Sequence, residues 1–292
     1  SILDGNARGS RSYHVVLSVG ATNNLTLMDG FTVKNGNANG TGELTVGGQV
    51  IYRYSGGGAY LSHNSVVTFQ NVTVTENYSS QVGGGVASIS NDVAIIRNTR
   101  IYGNTVSRLG GGIYHIGTHN KRMTIIDSYI SGNSAVSTTH QRGGGIYSTT
   151  HLTLRNVVIS GNKSEEGSAL YSFDDTQPGK NNITMVNTTI SGNHAYDGSQ
   201  PRPVIYHNGT IPLNIDNSVV WGNSGGINIA GTGNAIYRNS LVQGTTTNDG
   251  AGNKDGSLYP QFLDAPHFST APFSGGSYAI LPVSPLANAG NA

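Results

Sequence analysis

Apolar and polar residues alternate with period two in short runs broken by Gly and Asn, and these runs recur as a block from about residue 25 to residue 245. One half of the block reads Gly-Gly-Gly, an aliphatic residue, then usually Tyr. It occurs at residues 56–60, 83–87, 110–114 and 143–147 and, weakened, at 167–171 and 202–206. The other half reads apolar-x-apolar-x-Asn-x-x-aliphatic-x-Gly-Asn, cleanest at 152–162 (LTLRNVVISGN), 183–193 (ITMVNTTISGN) and 213–223 (LNIDNSVVWGN). Its first Asn falls at Asn71, Asn98, Asn156, Asn187, Asn217 and Asn239, with Asp127 in the same series, so successive spacings are 27, 29, 29, 31, 30 and 22.

A helical repeat of this length would return apolar residues every three or four positions, whereas alternation interrupted by Gly and Asn predicts strands, about three per block. Strands this short are stable only when stacked. If each block closes one coil, the next lies about 4.8 Å above it and equivalent residues superimpose in parallel sheets. Three interior rows follow from the alignment. The first runs Phe69, Ile96, Ile125, Leu154, Met185 and Ile215. The second runs Val33, Val74, Ile101, Ile130, Ile159, Ile190, Val220 and Val242, and the third Ala59, Val86, Ile113, Ile146, Leu170, Ile205 and Ile227. The Asn and Gly-Asn rows fall where strands turn, a structural role suited to residues that tolerate left-handed backbone angles and can hydrogen-bond from coil to coil.

These blocks resemble the coils of a right-handed parallel β-helix of the pectin-lyase-like superfamily. The GGGIY and ISGN elements resemble repeats of bacterial cell-surface proteins, including the polymorphic outer-membrane-protein type. Residues 278–290 (YAILPVSPLANAG) resemble the closing segment of β-helices in large secreted bacterial proteins. The resemblance implies an all-β fold, a right-handed parallel β-helix solenoid of about eight or more coils. Residues 1–245 are expected to form the coils, and 246–292, where five of the nine prolines fall, a non-repeating C-terminal capping segment of the same domain. Residues 1–17 read as a coil already in progress, so a longer protein is expected. Insertions at 37–55, 135–142, 174–182 and 195–203 lengthen turns, where repeat proteins often display binding loops.

Composition narrows the function classes. Sixteen Lys and Arg balance 15 Asp and Glu, and only 11% of the 292 residues are charged, so the clustered basic surface of a nucleic-acid binder is missing. The chain has no Cys, which removes disulfides, thiolate metal sites and a Cys nucleophile. No apolar run approaches the roughly 18 residues of a membrane span, and residues 1–9 lack the apolar stretch of a secretory leader. An extracellular or cell-surface location is expected from the resemblance, with any leader removed, and a monomer is expected.

Candidate chemistry is sparse. Tyr60, Tyr114, Tyr147, Tyr171 and Tyr206 each follow an inward aliphatic residue, so alternation points them outward as a stacked aromatic row able to bind a polysaccharide or host-surface glycan; the alternative is rings that pack under neighbouring turns. Catalytic candidates gather only at one turn edge, where stacking could bring together His140, Arg142, Glu165, Glu166, His194 and Asp197, with Arg202 nearby. A polysaccharide lyase or glycoside hydrolase would need converging carboxylates there, and mixed charges on an edge more often form ordinary ion pairs. Asp127 and Asp216 stand three coils apart, roughly 14 Å at 4.8 Å per coil, and Asp174 with Asp175 reads as a solvated turn. His63, His115, His119, His151 and His207 cluster at the turn edge after the Tyr strand, on different coils and without a tight ligand spacing, so neither a metal nor another cofactor is expected. The reading favoured by these residues is a non-catalytic, adhesin-like or glycan-contacting module of a larger bacterial protein, ahead of an enzyme or a purely structural spacer.

Overall fold

The computed structural model describes residues 1–7, 9–20, 25–118, 120–137, 140–174, 182–229, 234–246, 251–287 and 289. Strands wind into coils that stack in parallel. The Gly-aliphatic-Tyr segments make an eight-stranded sheet from Val16–Val19 to Ile227–Ile229. The longer halves of the block make a 15-stranded sheet that bends at the Asn positions. The bend lies at Asn71, Asn98, Asp127, Asn156, Asn187, Asn217 and Asn239, all at positive φ between 46° and 54°. In Arg122–Ser131 and His151–Ser160 a single strand runs through the corner. Two-residue strands from Asn37–Ala38 to His194–Ala195, most of them directly after a Gly-Asn, add a third, six-stranded sheet that the block does not predict.

Register follows the repeat. Phe69 aligns with Ile96, Ile96 with Ile125, Ile125 with Leu154, Leu154 with Met185 and Met185 with Ile215. The Val33-to-Val242 row and the Ala59-to-Ile227 row align in the same way. Nearly all these side chains are buried in one continuous core. A core one side chain deep per strand explains how 36% hydrophobic residues suffice.

Two polar ladders run through the stack. In the inner one, Asn77, Asn104, Asn133, Asn162, Asn193 and Asn223 are buried. Each amide Nδ2 donates to the next Oδ1 at 2.9–3.0 Å, and each of the last five Oδ1 atoms also accepts the preceding Asn's backbone N–H. An unpaired buried amide would be costly, and stacking like on like satisfies every one. Behind the corner, Thr99, Ser128, Thr188, Ser218 and Ser240 donate to the carbonyl two residues back.

The ends and insertions depart from simple turns. The first long insertion holds a β-hairpin, Glu43–Val46 with Gln49–Tyr52, folded onto the tyrosine sheet. After the last coil, Asn253 continues the ladder behind the corner by accepting the Ser240 N–H at 3.1 Å. The tail then runs back along the side of the stack as an antiparallel pair, Phe262–Asp264 with Ser277–Ile280, with Phe273 against Gly132, Gly161 and Gly192 of three successive coils. Residues 246–292 were expected to cover the final rung; the described part of them forms this lateral strap. Among the described residues no helix is long and apolar enough to cross a membrane.

Candidate functional site

Strand pairing puts Tyr114, Tyr147, Tyr171 and Tyr206 in one register column. Strands stand about 4.8 Å apart, so the rings stack: centroids are 5.3, 5.4 and 4.6 Å apart with planes within 20°. Ala87 separates Tyr60 from this stack. The rings point out of the coil, as alternation predicts, but they do not form an open platform. Tyr60 is 0%, Tyr171 2% and Tyr147 8% exposed, while Tyr114 and Tyr206 are half-buried. The hairpin covers Tyr60 through Ile51, with His14 packed at 5.2 Å. Desolvation pushes the Tyr60 phenol up to about 12 and raises Tyr171 further, despite the Arg142 guanidinium 4.9 Å from the Tyr171 ring centre.

The turn edge is assembled by a column of bridges from Ser55 through Val82 and Leu109 to Arg142 and Glu166. Arg142 Nε lies 3.6 Å from Glu166 Oε2, and burial raises the Glu166 carboxyl against the pull of Arg142 and Arg202. Asp197 is fixed in a turn of its own. It accepts from Ser199 N, Ser199 Oγ and Gln200 N at 2.7–2.9 Å and from Arg202 Nε at 2.7 Å, bonds that hold its carboxyl well below the usual range. Glu165 accepts the Gln141 N–H at 3.4 Å. Beside these groups an open groove of about 430 Å³ is lined by Ser137, His140, Gln141, Glu165, Tyr196, Asp197 and Gly198.

Three of the six candidates, His140, Glu165 and Asp197, thus share the groove, with the Arg142–Glu166 pair beside it. His194 does not join them. It packs against Tyr196 and the tail residue Phe268, with ring centres 5.8 and 5.7 Å away, and burial with Lys163 and His267 nearby lowers its pKa. Asp197 is occupied by turn N–H groups and Arg202 while Glu165 accepts one backbone N–H, so beside these acids the groove offers hydrogen bonds and one 43%-exposed aromatic ring.

A right-handed β-helix family model matches residues 37–242. The chain belongs to the right-handed β-helix family. No curated protein and no solved structure matches it significantly.

Within this β-helix, His115 and His207 do not lie on the turn edge as expected. They sit two residues after inward Ile113 and Ile205 and are themselves inward and fully buried. His115 Nδ1 meets Ser88 Oγ at 3.3 Å, and desolvation lowers its pKa to about 4. His207 Nε2 donates to Ile211 O at 2.8 Å, and burial also lowers its pKa. His63 contacts Ser62 Oγ and His151 accepts from Asn182 N, while His119 and Asp175 lie outside the described residues. Among the described residues no group of three or more His, Asp or Glu is arranged to hold a metal ion. Tyr196 and Gln141 escaped sequence reasoning because they sit in insertions outside the repeat; their only signal was the insertions' clustering at one edge.

Proposed function

We propose that this β-helix is a non-catalytic, adhesin-like module displayed outside the cell as part of a larger bacterial protein, and that it contacts glycans through the insertion-edge groove. The observation that carries the reading is the composition of that groove. An exposed Tyr196 ring stands among hydroxyl, amide, imidazole and carboxylate groups, in an open site of about 430 Å³, within the range of small-ligand sites. A sugar ring packs its C–H face on an aromatic and meets such groups with its hydroxyls. Glu166 and Asp197 are bound up in ion pairs and a turn, which favours holding over cleavage.

Retention of wild type, Tyr196→Ala and Gln141→Ala on a glycan array tests the site. Both variants should lose the glycans that wild type retains, and wild-type retention by both would remove the groove from the mechanism. Incubation with neutral and uronic-acid polysaccharides, with and without Ca²⁺, tests the non-catalytic part. New reducing ends or unsaturated products would overturn it.

A further inference from the structure

A second groove lies on the outer face of the 15-stranded sheet. Flanking the interior row at Val74, Ile101 and Ile130, the outward column reads Thr73, Arg100, Tyr129 and Val158 in register. The tail follows this side of the stack: Phe273 N–H donates to Gly161 O at 3.1 Å, and its cover ends against Gly132, where Ser274 follows. Beyond Ser274 the face is open, a groove of about 440 Å³ lined by Thr73, Arg100, Tyr102, Tyr129, Ser131 and Ser274.

Arg100 and Tyr129 give this groove its chemistry. The guanidinium carbon lies 5.2 Å from the centre of the Tyr129 ring, which is 45% exposed. Stacked in this way the planar fork is held in place, and among the described residues it makes no ion pair. Acids near this face lie at its turns: Asp127 accepts from Asn156, and Glu76 sits exposed on the turn after Thr75. A pre-oriented, unpaired arginine beside a half-exposed ring and three hydroxyls matches a sugar that carries an anionic group.

We infer that this groove is a second saccharide site, selective for a sugar residue bearing a carboxylate or a sulfate. Arg100 receives the anion through its forked N–H donors, the exposed part of Tyr129 supports the sugar's C–H face, and Thr73, Ser131 and Ser274 hydrogen-bond its hydroxyls. The site does not depend on the insertion-edge groove.

The test is titration calorimetry of the whole chain with three tetrasaccharides of equal length, one carrying carboxylates only, one sulfated and one neutral. At least one anionic probe should bind about tenfold or more tightly than the neutral one, and the tighter of the two assigns the anion. Arg100→Gln should weaken that probe by about 10- to 100-fold, the range for a hydrogen bond to a charged group. Arg100→Lys, which keeps the charge and loses the fork, should fall between, and Tyr196→Ala should leave the preference unchanged. Equal binding of neutral and anionic probes, or an Arg100→Gln variant that melts like wild type and still discriminates, overturns the proposal. Loss of neutral-glycan retention by Tyr196→Ala with no anionic preference in wild type would leave the first groove standing and sink only this one.

Discussion

Replacing Asn162 with alanine removes a rung from the inner ladder. Four hydrogen bonds go at once: Asn133 N and Asn133 Nδ2 into Asn162 Oδ1, and Asn162 Nδ2 to Ile130 O and to Asn193 Oδ1, all at 2.9–3.0 Å. Two of the partners keep another contact, because Asn133 Nδ2 still donates to Ile101 O and Asn193 Oδ1 still accepts the residue-162 N–H. Ile130 O stays paired within the strand ladder, whereas Asn133 N–H loses its partner in a fully buried site. At about 1–3 kcal/mol for the one orphaned buried group and about 1 kcal/mol for the lost amide–amide bonding, the substitution should cost about 2–4 kcal/mol. That is a large part of the roughly 5–15 kcal/mol that holds an ordinary domain together. The comparison is Asn156→Gly on the outer corner. It loses an exposed bond to Asp127 but relieves a side chain at φ 54°, so stability should change by less than about 1 kcal/mol. Urea unfolding followed by circular dichroism measures both. An Asn162→Ala variant within 1 kcal/mol of wild type, or an Asn156→Gly variant that costs as much, would show that the inner amides do not hold the coils together.

The tail strap predicts a second contrast. A Cβ on Gly161 (φ 61°) would stand 2.2 Å from Phe273 O, whereas one on Gly103 (φ 63°) meets nothing nearer than Thr75 Oγ1 at 3.6 Å. Gly103→Ala should cost only the left-handed penalty of about 1–2 kcal/mol, while Gly161→Ala should cost more and speed proteolysis between residues 262 and 281; equal costs and equal cleavage would refute the docking. Acid should destabilise the coil through His115. Its folded pKa of about 4 lies below the ordinary 6.5, so the unfolded chain binds the extra proton first, and the stability present above pH 6.5 is lost as pH falls toward 4. His115→Gln should flatten that limb of the stability profile, and an unchanged slope would remove His115 as its source.

The interior was legible because alternation and a near-constant period locate one inward position per strand, and Phe69, Ile96 and Ile125 could be aligned without knowing the fold. Alternation says which side of a sheet a residue faces, not whether a second layer covers it, and so it placed Tyr60 outward without showing that Ile51 would seal it. The sealing hairpin did leave a signal. Residues 43–52 read ELTV-GG-QVIY, two alternating runs around a Gly pair, and Gly47 and Gly48 both take the positive φ of a tight hairpin turn. His115 was equally readable, two residues beyond Ile113 and on the same side. The grooves were not, because each needs residues from an insertion or the tail beside residues from different coils, and a single sequence carries no record of that proximity.

A stack joined only rung to rung would come apart like a zipper, one coil at a time from either end. Phe273, lodged against three consecutive turns, makes those turns give way together or not at all. Under a force that pulls the rungs apart, these three turns should therefore yield in one large extension rather than in coil-by-coil steps.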